Sequence, residues 1–290
     1  MALPAGLSDP SVIIGAMTDA NPTPEAPPRE RLARAMLLLL AIGVLLVWLA
    51  YTPAGLLGKA DAVGYAVCHR IDLRSFHLGE RTLPLCSRCT GMYLGSTLAF
   101  AYLWLRGRGR AGEFPHRGLL VVLGMLGAAF AVDGVNSYLA FFPGGPPLYA
   151  PSNTLRLLTG MGLGLAMGSL VLPGFNQAVW KTWRKERSLE SPLDLGLLVV
   201  AALGVVLLVL TENPLVLYPL AILSSLGVVI LLTCVYTMLV LLLTGRENHV
   251  ESWRQLVVPA LAGFTLALLQ IAALDVIRYA LTGTWNGFAL

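Results

Sequence analysis

Three of the four cysteines lie in one short segment, as Cys68, Cys86 and Cys89, together with His69 and His77. Two thiolates spaced as in Cys86-x-x-Cys89 chelate one metal ion from a tight turn, and a third cysteine with one histidine completes the Cys3His set of a structural zinc site. The segment therefore predicts a metal centre, with zinc as the favoured ion and either His69 or His77 as the fourth ligand. We prefer His77, because adjacent residues Cys68 and His69 would strain the backbone in binding one ion.

Two other chemistries remain open for these cysteines. A Cys-x-x-Cys pair that begins a helix is typical of a redox-active dithiol, since the helix dipole lowers a thiol pKa. A structural disulfide would suit an oxidising compartment outside the cytoplasm, although an odd number of clustered cysteines weighs against disulfides alone. Covalent haem attachment is excluded because Thr90, not histidine, follows Cys89. Cys234 lies in an apolar run and is interpreted as a small buried hydrophobic residue.

The composition indicates that lipid is the solvent for most of the chain. Apolar residues make up 56% of the sequence, charged residues 12%, and the mean hydropathy is +0.73. Soluble domains carry about 25% charged residues. These values exclude a disordered chain, a nucleic-acid-binding domain and a plain soluble enzyme. We expect the lipid bilayer as a partner and no nucleic acid, and we interpret the net charge of +4 as a signal of membrane orientation.

The elements that must position the cysteine segment are membrane-spanning helices. Charge-poor windows long enough to cross a bilayer predict an all-α fold, a polytopic integral membrane helical bundle of about seven transmembrane helices, and no strand pattern is evident. The windows cover residues 35–58, 89–105, 118–142, 157–180, 195–211, 213–245 and 255–281.

The chain divides into three predicted units. Residues 1–33 read as a disordered, proline-rich N-terminal tail. Residues 34–180 form a membrane domain that carries the Cys/His loop, and residues 181–290 form a C-terminal transmembrane extension. Glycines four residues apart, at Gly91 and Gly95 and again from Gly160 to Gly168, predict close packing between helices.

The orientation follows from the basic residues. With the N-terminus in the cytoplasm, thirteen of the 20 basic residues lie on the cytoplasmic side and five lie outside, all within residues 59–88. We therefore expect a multi-pass protein of the plasma (inner) membrane, with the Cys/His loop on the outer side.

Ionisable residues inside the predicted spans form a second group. Asp133, Arg156, Asp275 and Arg278 all fall at the membrane depth of the Cys/His loop, and the last two share one helical face. Charged groups in lipid usually have a partner in a polar interior. They predict either a salt-bridge network that fixes helix packing or a substrate or ion site. For Arg156 we expect Asp133 as the first acidic partner and Asp275 as the second.

The runs CHR, RSFH, PLCSRCTGMYLG, DG at 133–134 and SNTLRLLTG resemble a prokaryotic membrane family called domain of unknown function 2085, over roughly residues 60–170. The resemblance implies a multi-pass membrane protein with one specific site and supplies no reaction. It marks Cys68, His69, Arg74, Ser75, His77, Cys86, Arg88, Cys89, Asp133, Asn153 and Arg156. From these we predict that Arg74, Arg88, Asp133, Asn153 and Arg156 bind a cofactor or a small anionic ligand.

Several functions are compatible with these features. The first is a membrane protein whose outward-facing zinc site caps a polar intramembrane cluster. The second is a thiol-disulfide oxidoreductase that passes electrons to a quinone, although such enzymes usually carry a second dithiol pair. A transporter or channel, or an accessory subunit of a membrane complex, is also open. Whether the chain is an enzyme stays open, since P-loop, GxSxG, HExxH and DxxxD motifs are absent.

Overall fold

The computed structural model describes residues 28–140 and 145–287 of the chain. Within these ranges the all-α prediction is confirmed, with eight α-helices that make up most of the structure. They are α1 (Pro28–Tyr51), α2 (Gly55–Val67), α3 (Ser87–Leu105), α4 (Arg117–Leu139), α5 (Asn153–Val179), α6 (Pro192–Leu210), α7 (Pro214–Leu243) and α8 (Trp253–Thr282).

Six of these helices, α1 and α4 to α8, are long and apolar enough to cross a membrane. The remaining predicted span, residues 89–105, corresponds to α3, whose first turn is polar and which lies between α5, α7 and α6. The sequence missed α2, because a helix of 13 residues is too short to be recognised as a span. The helix packs on α7 and α8 and closes one end of the bundle.

The first described helix begins within the range that the sequence assigns to the N-terminal tail. Helix α1 begins at Pro28, so residues 28–33 are helical, and the rest of that predicted tail lies outside the described residues. Proline is well tolerated in the first turn of a helix, where its missing N–H has no partner to lose. The predicted boundary at residue 180 coincides with the end of α5 at Val179. Beyond it, α7 packs against α3 and α8 packs against α1, so the C-terminal helices belong to the same bundle.

The absence of strands in the prediction is wrong for the connecting segments. Strands β1 (His77–Leu78) and β2 (Arg81–Thr82) form an antiparallel hairpin near the cysteines. At the opposite end, β3 (Ala111–Glu113) pairs in parallel with β4 (Arg184–Arg187). Strands of two to four residues are too short to show an alternating pattern. We refer to the two ends of the bundle as the cysteine end and the sheet end.

The close packing that the glycine pattern predicted is found, and the structure shows that the two glycine-bearing helices, α3 and α5, pack on each other. A side chain at Gly164 would collide with the carbonyl oxygen of Met92, and one at Gly168 would come within 2.6 Å of the Ala99 Cβ. The two backbones therefore touch, as small residues allow in membrane helices. Because both helices begin at the cysteine end, this packing brings their first turns together.

Candidate functional site

The three clustered cysteines converge at the junction of α2 and α3. Their Sγ atoms all lie within 4.8 Å of one another. Cys68 ends α2, Cys86 is the N-cap of α3, and Cys89 lies in the first turn of that helix. All three are free cysteines, and Cys68 and Cys86 are buried. We call these three residues the cysteine cluster.

Hydrogen bonds inside the cysteine cluster concentrate on Cys68. The side chains of Cys86 and Cys89 both hydrogen-bond the sulfur of Cys68, with Cys86 having the larger effect. The backbone N–H of Cys86 donates to the same sulfur at 3.3 Å. Together these donors hold the pKa of the Cys68 thiol well below its usual range despite burial, which opposes ionisation. A thiolate is the form of cysteine that binds metal.

The two candidate histidines lie in different surroundings. His69 Nδ1 is 3.5 Å from Cys68 Sγ, whereas His77 Nε2 is 3.0 Å from Asp72 Oδ1 on the hairpin side. The geometry thus favours His69 over His77 beside the cysteine cluster. The residue after His69, Arg70, has φ of 51°, in the left-handed region.

The segment around Cys68 is held from the far end of the sequence. The Arg278 guanidinium donates to the carbonyl oxygens of Tyr65 and Cys68 at 2.6 Å each, and to that of His69 at 3.1 Å. It also lies 4.0 Å from the centre of the Tyr65 ring. Five donors in a planar fork make arginine suited to gathering several carbonyls. Helix α8 therefore fixes the backbone that presents Cys68.

A buried ion pair also supports the same segment. Arg70 Nη2 lies 2.8 Å from Asp61 Oδ1 in α2, and Arg81 from the hairpin contacts the other oxygen of that carboxylate. Asp61 and Arg70 are both buried. Breaking a buried pair by removal of one partner is costly, so this contact stabilises the turn after His69.

Next to the cysteine cluster lies a group that we call the arginine cluster, formed by Arg74, Arg88 and Arg156 around Asp133 and Ser137. Arg88 Nε donates to Asp133 Oδ2 at 3.1 Å, and its Nη2 donates to Ser137 Oγ at 2.8 Å. Arg156 Nε donates to the same hydroxyl at 3.4 Å, and Arg74 Nη2 donates to the Ser137 carbonyl at 3.0 Å. Among the described residues, three guanidinium groups thus gather around Ser137, and one of them, Arg88, pairs with the Asp133 carboxylate, so positive charge exceeds negative charge there.

The prediction that Arg156 pairs with Asp133 is wrong, because Asp133 has a different arginine as its partner. Asp133, which is 1% exposed, forms its ion pair with Arg88 and accepts a hydrogen bond from Tyr149 Oη at 3.0 Å. Arg156 instead donates to Asn153 Oδ1 at 2.9 Å, as well as to the serine named above. The physical reason is the close glycine contact of α3 with α5, which carries Arg88 inward to Asp133. From the sequence alone, Arg88 is expected in the outer loop.

Asn153 also joins the arginine cluster to the backbone on either side of Arg74. Its Nδ2 donates to the carbonyl oxygens of Leu73 and Ser75, at 3.3 and 3.4 Å. The structure therefore brings together all five residues that were predicted to bind a cofactor or anion. The sequence-based prediction of the site did not include Ser137 and Tyr149. Of these two, only Ser137 could have been found from the sequence, because it lies one helical turn after Asp133.

Charge crowding is strongest at Arg74, on the short 3₁₀ turn Asp72–Arg74. Burial and the nearby Arg156 and Arg88 lower the pKa of Arg74 to about 10, while Cys86 opposes this shift. The influence of Cys86 shows that the cysteine and arginine clusters adjoin. A negative charge placed among these guanidiniums would relieve their repulsion.

Asp275 and Arg278, which the sequence places on one helical face, have different partners in the structure. Both residues lie on α8, but Asp275 Oδ2 accepts from Trp48 Nε1 at 3.1 Å, while Arg278 reaches the carbonyls before the hairpin. Trp48 belongs to α1, so the two charged residues tie α8 to different parts of the bundle.

Comparisons with known proteins cover the same part of the chain. The model of a family described as predicted membrane protein (DUF2085) matches residues 68–170, from Cys68 into α5. An uncharacterized protein of Methanothermobacter thermautotrophicus is 32% identical over 108 residues, which cover 37% of this chain and 86% of that protein. An uncharacterized protein of Methanocaldococcus jannaschii is 24% identical over 123 residues, or 42% of this chain and 72% of that protein. No solved structure matches the chain.

Proposed function

The chain belongs to the DUF2085 family of predicted membrane proteins, and from this premise we propose that it holds one zinc ion in its cysteine cluster. The ion would be bound by Cys68, Cys86, Cys89 and His69. The proposed role of this centre is to cap the arginine cluster, which receives a small anionic ligand.

One observation carries the zinc assignment, namely the convergence of three free cysteine sulfurs with the His69 ring beside them. In a tetrahedral site with Zn–S of about 2.3 Å and Zn–N of about 2.0–2.1 Å, a sulfur and a nitrogen ligand lie about 3.6 Å apart. The distance from Cys68 Sγ to His69 Nδ1 is 3.5 Å. The three sulfurs are close enough to share one ion, and His69 would complete the set by turning its ring towards Cys86 and Cys89, since among these four residues only the cysteines all lie within 4.8 Å of one another.

The position of this centre explains what the ion would do. Cys68 ends α2 and Cys86 begins α3, so shared ligation would join two helix ends directly through the ion. Because an unfolded chain has no preformed site, the free energy of metal binding adds to the stability of the folded form. The excess charge of three thiolates would be offset by the neighbouring arginine cluster.

The arginine cluster supports the anion-binding part of the proposal. Arg74, Arg88 and Arg156 supply three guanidiniums to a site with one carboxylate, Asp133. Arginine is the preferred residue for binding carboxylate or phosphate oxygens through paired hydrogen bonds. Ser137 and Asn153 hold the guanidiniums at fixed positions, so the site is organised before a ligand arrives.

Elemental analysis of the purified full-length protein, with a free-thiol count before and after chelation, tests the zinc assignment. We expect about one zinc per chain and three thiols that become reactive on chelation. Cys86→Ser should lose the metal, and Cys234→Ser, which removes a cysteine of α7 away from the cluster, is the matched control. Comparison of His69→Ala with His77→Ala identifies the fourth ligand.

The opposite result has a definite meaning. Metal well below one equivalent, together with a Cys86–Cys89 disulfide detected by mass spectrometry, would reject the zinc centre. It would favour the thiol-disulfide oxidoreductase instead, because the same three sulfurs are close enough for exchange.

We further propose that the cysteine end faces outward in the plasma membrane, as the distribution of basic residues predicts. Exposed residues at the two ends provide the test. Glu80 lies in the hairpin at the cysteine end, and Glu247 lies at the sheet end. An impermeant thiol reagent applied to intact cells should label Glu80→Cys and not Glu247→Cys, with the unsubstituted chain as background. Labelling of the second variant alone would invert the orientation.

A further inference from the structure

A cavity of about 890 Å³ lies between α1 and α8 at the cysteine end. Most of its wall is aliphatic or aromatic, with Gly43 and Trp48 from α1, Leu269 from α8, and Trp285 beyond α8. Cavities of about 300–1,000 Å³ with apolar walls and a few placed polar groups are typical of small-molecule sites. The dimensions and lining therefore suit a ligand with a hydrocarbon body.

One carboxylate in this wall lacks half of its hydrogen bonds. Asp275 is 3% exposed, and its Oδ2 accepts from Trp48 Nε1 at 3.1 Å. Its Oδ1 has no hydrogen-bond partner in the part of the chain that the structure describes. A buried polar group without a partner costs free energy, and more so when it is charged. The wall thus presents an acceptor at a position where the protein supplies no donor.

From these two observations we propose that the cavity binds a membrane amphiphile with a hydrocarbon chain and a headgroup that donates a hydrogen bond, a hydroxyl or ammonium group, to Asp275. Acidic headgroups are excluded by repulsion from the carboxylate. The exposed faces of α1 beside the cavity are rich in leucine and valine, so the ligand enters from the bilayer.

The bound headgroup would lie beside the cysteine cluster. Trp48 packs in the same apolar group as Cys68 and Cys86. Trp285, on the far wall, contacts the Tyr65 ring with centroids 5.1 Å apart. The proposal does not depend on a metal ion in the cluster, since it rests on the cavity and on Asp275 alone.

A photoaffinity experiment on the full-length protein in phosphatidylcholine nanodiscs tests the proposal. The probe is a diazirine-bearing hexadecanol. We expect it to label α1 and α8, and we expect unlabelled hexadecanol or hexadecylamine to compete at least about tenfold better than methyl hexadecyl ether, which cannot donate. One hydrogen bond to a charged acceptor accounts for a difference of this order. Asp275→Asn should remove that preference.

A matched pair of glycine variants controls for hydrophobic adsorption. Gly43 lines the cavity, Gly124 lies on α4 away from it, and a side chain added at either position meets no atom within 4 Å. Gly43→Phe should fill the cavity and abolish labelling of α1 and α8, whereas Gly124→Phe should leave it unchanged. Both variants are expected to fold, because neither introduces a contact with the backbone.

Three outcomes would overturn the proposal. Equal labelling in Gly43→Phe would show that the probe adsorbs elsewhere. Equal competition by hexadecanol and its methyl ether would show that the cavity accepts any hydrocarbon and that Asp275 recognises nothing. A retained preference for hexadecanol over its methyl ether in Asp275→Asn would show that a group other than Asp275 recognises the headgroup.

Discussion

Replacement of Asp133 by asparagine is the sharpest test of the arginine cluster. The substitution keeps the shape of the side chain and removes the only carboxylate that the structure places among three guanidiniums. Asp133 is 1% exposed and its partner Arg88 has an 18% exposed side chain, so water screens the pair weakly. Removal of one partner from a buried pair costs about 3–5 kcal/mol.

This loss is large enough to measure directly. For chains of this size about 1 kcal/mol lowers the melting temperature by roughly 2–4 °C. We therefore expect Asp133→Asn to melt about 6–20 °C below the unsubstituted protein, by intrinsic fluorescence of the detergent-purified chain. The repulsion among Arg74, Arg88 and Arg156, no longer offset by the carboxylate, is the physical cause.

A double-mutant cycle identifies which arginine is the partner. Arg88→Met should couple to Asp133→Asn by about 1–3 kcal/mol, within the range for residues in contact. Arg156→Met should couple more weakly, because Arg156 reaches Ser137 and Asn153 rather than the carboxylate. Coupling to Arg156 equal to or greater than that to Arg88, or an unchanged melting temperature in Asp133→Asn, would refute this account of the cluster.

Three further predictions concern packing, the sheet end and the anion. Gly164→Ala should lower stability by at least about 1–3 kcal/mol, as overpacking does, whereas Gly174→Ala on the same helix meets no atom and should be neutral in thermal melts. Arg110 lies 3.9 Å from the centre of the Trp180 ring, so Arg110→Ala should cost about 1–2 kcal/mol and Arg110→Lys less. Inorganic phosphate should raise the melting temperature of the unsubstituted chain by mass action, and an equal rise in Arg74→Gln would contradict anion binding at the cluster.

The sequence was most informative where one physical demand dominates. Hydrocarbon thickness sets span length, so charge-poor windows located the six long apolar helices. Chelate spacing predicted that Cys86 and Cys89 belong together, and the structure places both beside Cys68. Glycine spacing predicted close helix packing, because close approach admits no side chain, and the structure places this packing between α3 and α5.

Side-chain contacts that depend on which faces of two helices pack together could not be predicted from the sequence in this way. The partner of Asp133 is decided by the rotation of α3 against α5, which no local pattern encodes. The choice between His69 and His77 rested on local strain, whereas their positions depend on tertiary contacts: His69 Nδ1 lies 3.5 Å from Cys68 Sγ, and Arg278 holds the carbonyls of Cys68 and His69. Which of the two histidines is a ligand stays a prediction.

The hydrogen bond from Arg278 to the Cys68 carbonyl has a consequence for biogenesis. The two residues are 210 positions apart, and at translation rates of about 5–20 residues per second the arginine is synthesised roughly 10–40 s after the cysteine. Throughout that interval the α2–α3 junction lacks its restraint from α8, and its thiols are open to metal loading or to oxidants. Helix α8 therefore restrains the junction only after the segment between Cys68 and Arg278 has been synthesised, and the thiols are accessible until that contact forms.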